Sequence, residues 1–163
     1  MNLPTLHILC LCTGNSARSI LGEAMINQLQ PGRFVGMSAG SDPAGAPNPY
    51  ALELLKERGF DLSFARSKHW SEFAQPGAPN IDLVITVCDA AQQICPVFPG
   101  AHYMLHWGLP DPAGIEDPVQ SRRAFESTYT ALEQRFEILK TVVSNRGLDP
   151  EALLDIQHQI SLL

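Results

Sequence analysis

Apolar residues recur along the chain in two rhythms. Leu6-His7-Ile8-Leu9-Cys10-Leu11 and Ile81-Asp82-Leu83-Val84-Ile85-Thr86-Val87 are short, nearly continuous apolar runs. Runs of this length read as strands buried on both faces, the habit of parallel sheets. They predict strands over residues 5–11 and 81–87. Elsewhere the apolar positions return at steps of three and four. Ile20, Leu21, Ala24, Met25 and Leu29 share one face and predict a helix over residues 18–30, ended by Pro31-Gly32. Phe125, Tyr129, Leu132, Phe136, Leu139 and Val143 predict a longer amphipathic helix. Asn48-Pro49 has the chemistry of a helix start, and Gly59 closes that helix. A last helix, over about residues 149–162, follows Leu148-Asp149-Pro150. Weaker patterns predict a short strand at Arg33–Met37 followed by a Ser38-Ala39-Gly40 turn. They also predict a short helix near Trp70–Ala74, a surface loop at Pro76, Gly77 and Pro79, a strand at Ala101–His106 and an ordered proline-rich loop over residues 109–118.

Strands alternating with helices predict an α/β fold, a doubly wound parallel sheet in one domain spanning residues 1–163. Ligands in such sheets sit at the carboxyl ends of the strands. Cys12 and Cys88 each stand at such an end.

The chain has 163 residues, 45% hydrophobic and 17% charged, which suits one domain with a real core. Its formal net charge of -6 gives no support to nucleic-acid binding. No stretch approaches a membrane span, and no export signal is evident, so the cytosol is the expected location. There, the four cysteines point to catalysis or metal binding rather than to a static disulfide framework.

Chemistry concentrates in Cys12-Thr13-Gly14-Asn15-Ser16-Ala17-Arg18-Ser19. A thiol enters a tight loop between strand and helix, and a guanidinium leaves it. Backbone N–H groups of such a loop can hold a tetrahedral oxyanion, helped by the helix N-terminus. Arg18 can grip two oxygens at once. The same field favours a thiolate at Cys12, the nucleophilic form. Gly14 and Asn15 tolerate unusual backbone angles, and Ser16 and Ser19 can bond the thiolate or cap the helix.

Cys88 and Cys95 flank Asp89-Ala90-Ala91-Gln92-Gln93-Ile94. They can be packed thiols, zinc ligands or a redox pair, though the spacing fits no usual zinc pattern. In a helix, seven residues span about 10.5 Å, whereas a disulfide needs Cα atoms within about 7 Å. The two sulfurs can therefore join only if the segment unwinds. Cys10 reads as a core thiol. A general acid is expected in one of two triplets, Asp42-Pro43-Ala44 or Asp111-Pro112-Ala113, with a weak preference for Asp111. The histidines are scattered and suggest no metal site. His106-Trp107 is expected to pack or orient the loop bearing Asp111.

The chain resembles the arsenate reductases that share the low-molecular-weight protein tyrosine phosphatase fold. The resemblance rests on Cys12–Ser19, Ser38-Ala39-Gly40, Asn48-Pro49, Thr86-Val87-Cys88, Cys95-Pro96 and His106-Trp107-Gly108-Leu109-Pro110-Asp111-Pro112-Ala113. It implies a four-stranded parallel sheet of order 2-1-3-4. It also implies that residues 13–19 bind arsenate or a phosphate-like oxyanion, that Cys12 attacks it, and that Arg18 holds it while Asp111 protonates the departing oxygen. Cys88 then attacks Cys12, Cys95 resolves the disulfide, and thioredoxin, or glutaredoxin with glutathione, re-reduces the pair. No bound cofactor is implied. Some members hold potassium through an asparagine, a glutamate, a serine and an aspartate. Asn15, Glu23 and Ser38 match three of these, and Lys68 replaces the fourth, so no potassium is expected. Ala113 stands where the phosphatases carry an aromatic wall. Phosphatase activity through Cys12, Arg18 and Asp111 is the alternative function, and a thiol-based arsenite or metal sensor is a third.

Overall fold

The computed structural model describes residues 3–94, 101 and 103–163. Strands β1 (Leu6–Cys12), β2 (Phe34–Gly40), β3 (Leu83–Thr86) and β4 (Tyr103–His106) form a parallel sheet of order β2-β1-β3-β4, as expected. Helices α1 (Arg18–Leu29), α2 (Pro49–Glu57), α3 (Asp89–Ile94), α4 (Pro118–Arg146) and α5 (Pro150–Ser161) cover it. No helix among the described residues is long and apolar enough to cross a membrane.

Ile8, Leu9, Cys10 and Leu11 are fully buried, which makes β1 the centre of the core. Burying each of the isoleucine and leucine side chains stabilises the fold by roughly 1.5–3 kcal/mol. Phe125, Leu132, Phe136 and Leu139 of α4 close the core from one side. Helix α1 is buried from Ser19 to Ile26, so it is enclosed rather than merely amphipathic.

Asn48, Asp117 and Asp149 cap α2, α4 and α5 with their side chains, each followed by proline. Helix α1 departs from this rule. Its cap residue is Ala17, with no side-chain hydrogen bond. Of the two roles open to the serines, capping is therefore not the one taken, and the first N–H groups of α1 keep their capacity for a ligand.

One expectation is corrected. Ser38-Ala39-Gly40 is not a turn but the end of β2, paired with Cys10, Leu11 and Cys12 of β1. Its small residues suggest a turn, yet the β1 pairing satisfies its backbone and the small side chains fit a buried edge. The short helix expected near Trp70–Ala74 is present as a 3-10 helix, Trp70–Phe73. The proline-rich loop is ordered around another 3-10 turn, Pro112–Gly114, beneath the side-chain cap of Asp111.

Candidate active site

Cys12 ends β1 and Arg18 begins α1, so residues 13–17 form the loop over the carboxyl edge of the sheet. A second loop holds it in shape. Ser41 N donates to Cys12 O at 3.3 Å, Asp42 N to Thr13 O at 2.9 Å, Ala44 N to Gly14 O at 2.9 Å, and Asn48 N to Ser16 O at 2.8 Å. Ser67 Oγ donates to Asn15 O at 2.6 Å. The carbonyls of residues 12–16 are thus all drawn outward. In trans peptide groups the N–H bonds then point the other way, over the Cys12 thiol. Asn15 N donates to Cys12 Sγ at 3.2 Å, as this orientation requires. The turn is made by Asn15, with φ +46°, and Gly14 is not the residue that takes a positive angle.

Cys12 is 3% exposed. Ser19 Oγ lies 2.8 Å from its sulfur. Asn15 Nδ2 donates to Ser19 Oγ at 2.8 Å, which leaves the serine proton free to point at sulfur. Negative charge on Cys12 is therefore met by two donors, one backbone and one hydroxyl. Cys10, two residues earlier, has no such support, and burial pushes its thiol far above the usual range. It remains a core thiol.

Arg18 crosses the mouth of the loop. Its Nη1 donates to Leu109 O at 2.7 Å, and its Nη2 lies 3.9 Å from Asp111 Oδ1. Of the two candidate acids, Asp111 is the one paired with Arg18, while Asp42 meets the loop through its backbone N–H. Trp107 is buried, with its ring edge-on to Phe136, and orients the segment leading to Asp111.

The carboxyl end of β3 brings in Cys88. Its sulfur lies 3.4 Å from Thr13 Oγ1, although 75 residues separate the two. Helix α3 starts immediately afterwards. Of residues 89–93 only Ala91 is buried, so little apolar packing opposes unwinding of this segment. Cys95 lies outside the described residues.

Beneath the loop is a buried charge cluster. Lys68 Nζ lies 2.8 Å from Arg66 O, 3.3 Å from Asn15 Oδ1, 3.3 Å from Ser38 Oγ and 3.5 Å from Glu23 Oε1. Burial pushes the Glu23 carboxyl up and the Lys68 ammonium down, while their mutual attraction opposes both shifts. The oxygens that the resemblance would assign to potassium already surround an ammonium, so they do not fit a second cation. Turnover is expected to agree within about twofold in potassium and sodium salts of equal ionic strength. Lys68→Asp is expected to make it potassium-dependent. A strong response of the unaltered protein to potassium alone would contradict this. Among the described residues, no group of three or more His, Cys, Asp or Glu side chains could hold a metal ion.

The family described as low molecular weight phosphotyrosine protein phosphatase matches residues 7–147, leaving α5 beyond the match. An arsenate reductase of Brevibacillus brevis is 38% identical over 109 residues, covering 66% of this chain and 78% of that protein. A thioredoxin-dependent arsenate reductase of Corynebacterium glutamicum superposes with a TM-score of 0.58 at 29% identity, over 84% of this chain and 63% of that one. The tyrosine phosphatase Wzb of Escherichia coli K30 superposes with a TM-score of 0.62, also at 29% identity, over 80% of this chain and 93% of that one. This chain spans less than two thirds of the Corynebacterium protein. These two solved structures, one a reductase and one a phosphatase, are equally similar to this chain at 29% identity, below the 38% of the Brevibacillus reductase.

Proposed function

Since the chain belongs to the low molecular weight phosphotyrosine protein phosphatase family, we propose that it turns the family's oxyanion chemistry to the reduction of arsenate. The single observation that supports reduction over hydrolysis is the Cys88 thiol at the rim of the Cys12 loop, 3.4 Å from Thr13 Oγ1. Hydrolysis of an ester needs Cys12, Arg18 and Asp111 but has no use for a second thiol there.

Arsenate enters the loop as a tetrahedral oxyanion. Residues 13–19 supply N–H and hydroxyl donors, and Arg18 neutralises the charge that grows in the transition state. Cys12 sulfur attacks arsenic, and Asp111 gives its proton to the departing oxygen, which leaves as water. Cys88 then attacks Cys12 sulfur. The electron pair of the sulfur–arsenic bond stays on arsenic, arsenite leaves, and a Cys12–Cys88 disulfide remains. Cys95 attacks Cys88 and frees Cys12. The Cys88–Cys95 disulfide is reduced by a dithiol protein of the thioredoxin class, with glutaredoxin and glutathione as the alternative donor. Every electron passes through sulfur, so the sequence needs no bound cofactor.

The alternative, a phosphatase for small esters or phosphotyrosine, uses the same loop and acid. It lacks an aromatic wall, because Ala113 follows Asp111-Pro112.

A coupled assay separates these readings. Purified protein, thioredoxin, its reductase and NADPH are mixed with or without arsenate, beside a parallel reaction with glutaredoxin and glutathione. Arsenate-dependent NADPH oxidation with thioredoxin is the expected result. Silence in both reactions, together with brisk cleavage of p-nitrophenyl phosphate, would leave only the phosphatase.

A further inference from the structure

Cys88 sits at the joint between β3 and α3, and one imidazole spans that joint. His106 Nδ1 lies 2.7 Å from Thr86 Oγ1, two residues before Cys88. His106 Nε2 lies 2.7 Å from Asp89 Oδ1, one residue after it. A carboxylate only accepts, so Nε2 donates to Asp89, and Nδ1 shares the second hydrogen bond with the Thr86 hydroxyl. Thr86 is fully buried, which gives the ring a fixed footing at that end.

His106 is itself anchored from outside the family match. Gln157 of α5 donates from Nε2 to His106 O at 3.2 Å and accepts from Trp107 Nε1 at 3.1 Å. Ala152 and Ile156 bury the same helix against the fold. Gly108 leaves the room the bridge needs. A Cβ there would lie 2.9 Å from Asp89 Oδ1 and 3.1 Å from His106 Nε2.

We infer that His106, steadied by Gln157, is a positioning residue for Cys88: the Thr86–His106–Asp89 bridge holds the start of α3 so that the Cys88 thiol stays at the rim of the Cys12 loop. The bridge touches neither the oxyanion loop nor the acid. It acts on one step only, closure of the Cys12–Cys88 disulfide. Its mechanistic meaning rests on the proposed relay, so the test follows closure without arsenate.

The background is Cys95→Ser, in which Cys88 has only Cys12 within the site as a partner. Diamide, a diazene oxidant, takes up the two electrons and two protons that the thiols release as the S–S bond forms. Closure is timed by peptide mass spectrometry in Asp89→Ala, Asp89→Asn and Gln157→Leu versions of this protein. Asp89→Ala is expected to slow closure about fivefold, the rate equivalent of one lost hydrogen bond. Asp89→Asn keeps an oxygen acceptor and is expected to stay within about twofold. Gln157→Leu is expected to fall between them. Hydrolysis of p-nitrophenyl phosphate is expected to change by less than about twofold throughout. Unchanged closure in Asp89→Ala, or equal losses of closure and hydrolysis, would overturn the inference. Failure of the unaltered protein to reduce arsenate overturns the proposed relay instead, and closure rates still decide the role of the bridge.

Discussion

Cys88→Ser is expected to abolish catalytic turnover of arsenate while ester hydrolysis continues. A serine hydroxyl cannot attack the Cys12 sulfur as a thiolate does, so arsenite has no route out of the thiol adduct. The loss is on the order of 10⁴-fold or more, the scale seen when a nucleophile is removed. The site tolerates the change sterically, since serine is slightly smaller and keeps a polar atom toward Thr13 Oγ1. Parallel assays of NADPH oxidation with thioredoxin and of p-nitrophenyl phosphate release check both halves. Retained arsenate turnover would place the second thiol outside the reaction.

Gly40→Ala is expected to be the most damaging single methyl group. A Cβ at residue 40 would lie 2.3 Å from Thr13 O, 2.9 Å from Asn15 N and 3.0 Å from the Thr13 carbonyl carbon. All three are backbone atoms of the oxyanion loop, so no side-chain rotation relieves the clash. Overpacking costs about 1–3 kcal/mol, and a backbone clash belongs at the top of that range or above it. For a chain of 163 residues this lowers the melting temperature by about 6–12 °C. Displacement of the loop by about 1 Å costs a further factor of roughly 10² in both activities. Gly114→Ala is the control, because nothing lies within 4 Å of its Cβ. Calorimetry and steady-state rates on both variants decide the matter, and a Gly40→Ala protein as active and stable as the control would refute the close packing described above.

The parts of this protein that were legible in its sequence are those encoded by neighbours in the chain. The β1–loop–α1 unit announces itself because strand, thiol, turn residues and arginine are contiguous. Helix α4 is legible because its apolar face repeats for many turns. Parts built by distant residues were not. Nothing local marks Thr13 as the neighbour of Cys88, or Leu109 O as the acceptor for Arg18, since each pair is joined only by the sheet. The resemblance picked out Lys68, whereas its own surroundings in the chain give no sign that it is buried. Ser38-Ala39-Gly40 misled for a related reason. Small residues favour turns in isolation, but here they were chosen for closeness to the oxyanion loop, which tertiary packing alone reveals. Gly14 and Asn15 both offered themselves for an unusual backbone angle, and Asn15 adopts it because its side chain is bound on both sides, to Ser19 and Ser38 through Nδ2 and to Lys68 through Oδ1. The bridge through His106 was invisible because it needs both strand register and a helix outside the family's shared region.

A counterion tethered by a covalent bond has no dissociation constant. Neither dialysis, nor chelation, nor exchange for another alkali cation can strip Lys68 from beneath the loop. Its charge vanishes only when the amine gives up its proton, and the dry surroundings bring that event to lower pH than for a lysine in water. At this spot the cluster therefore answers to alkali, through the proton of one amine.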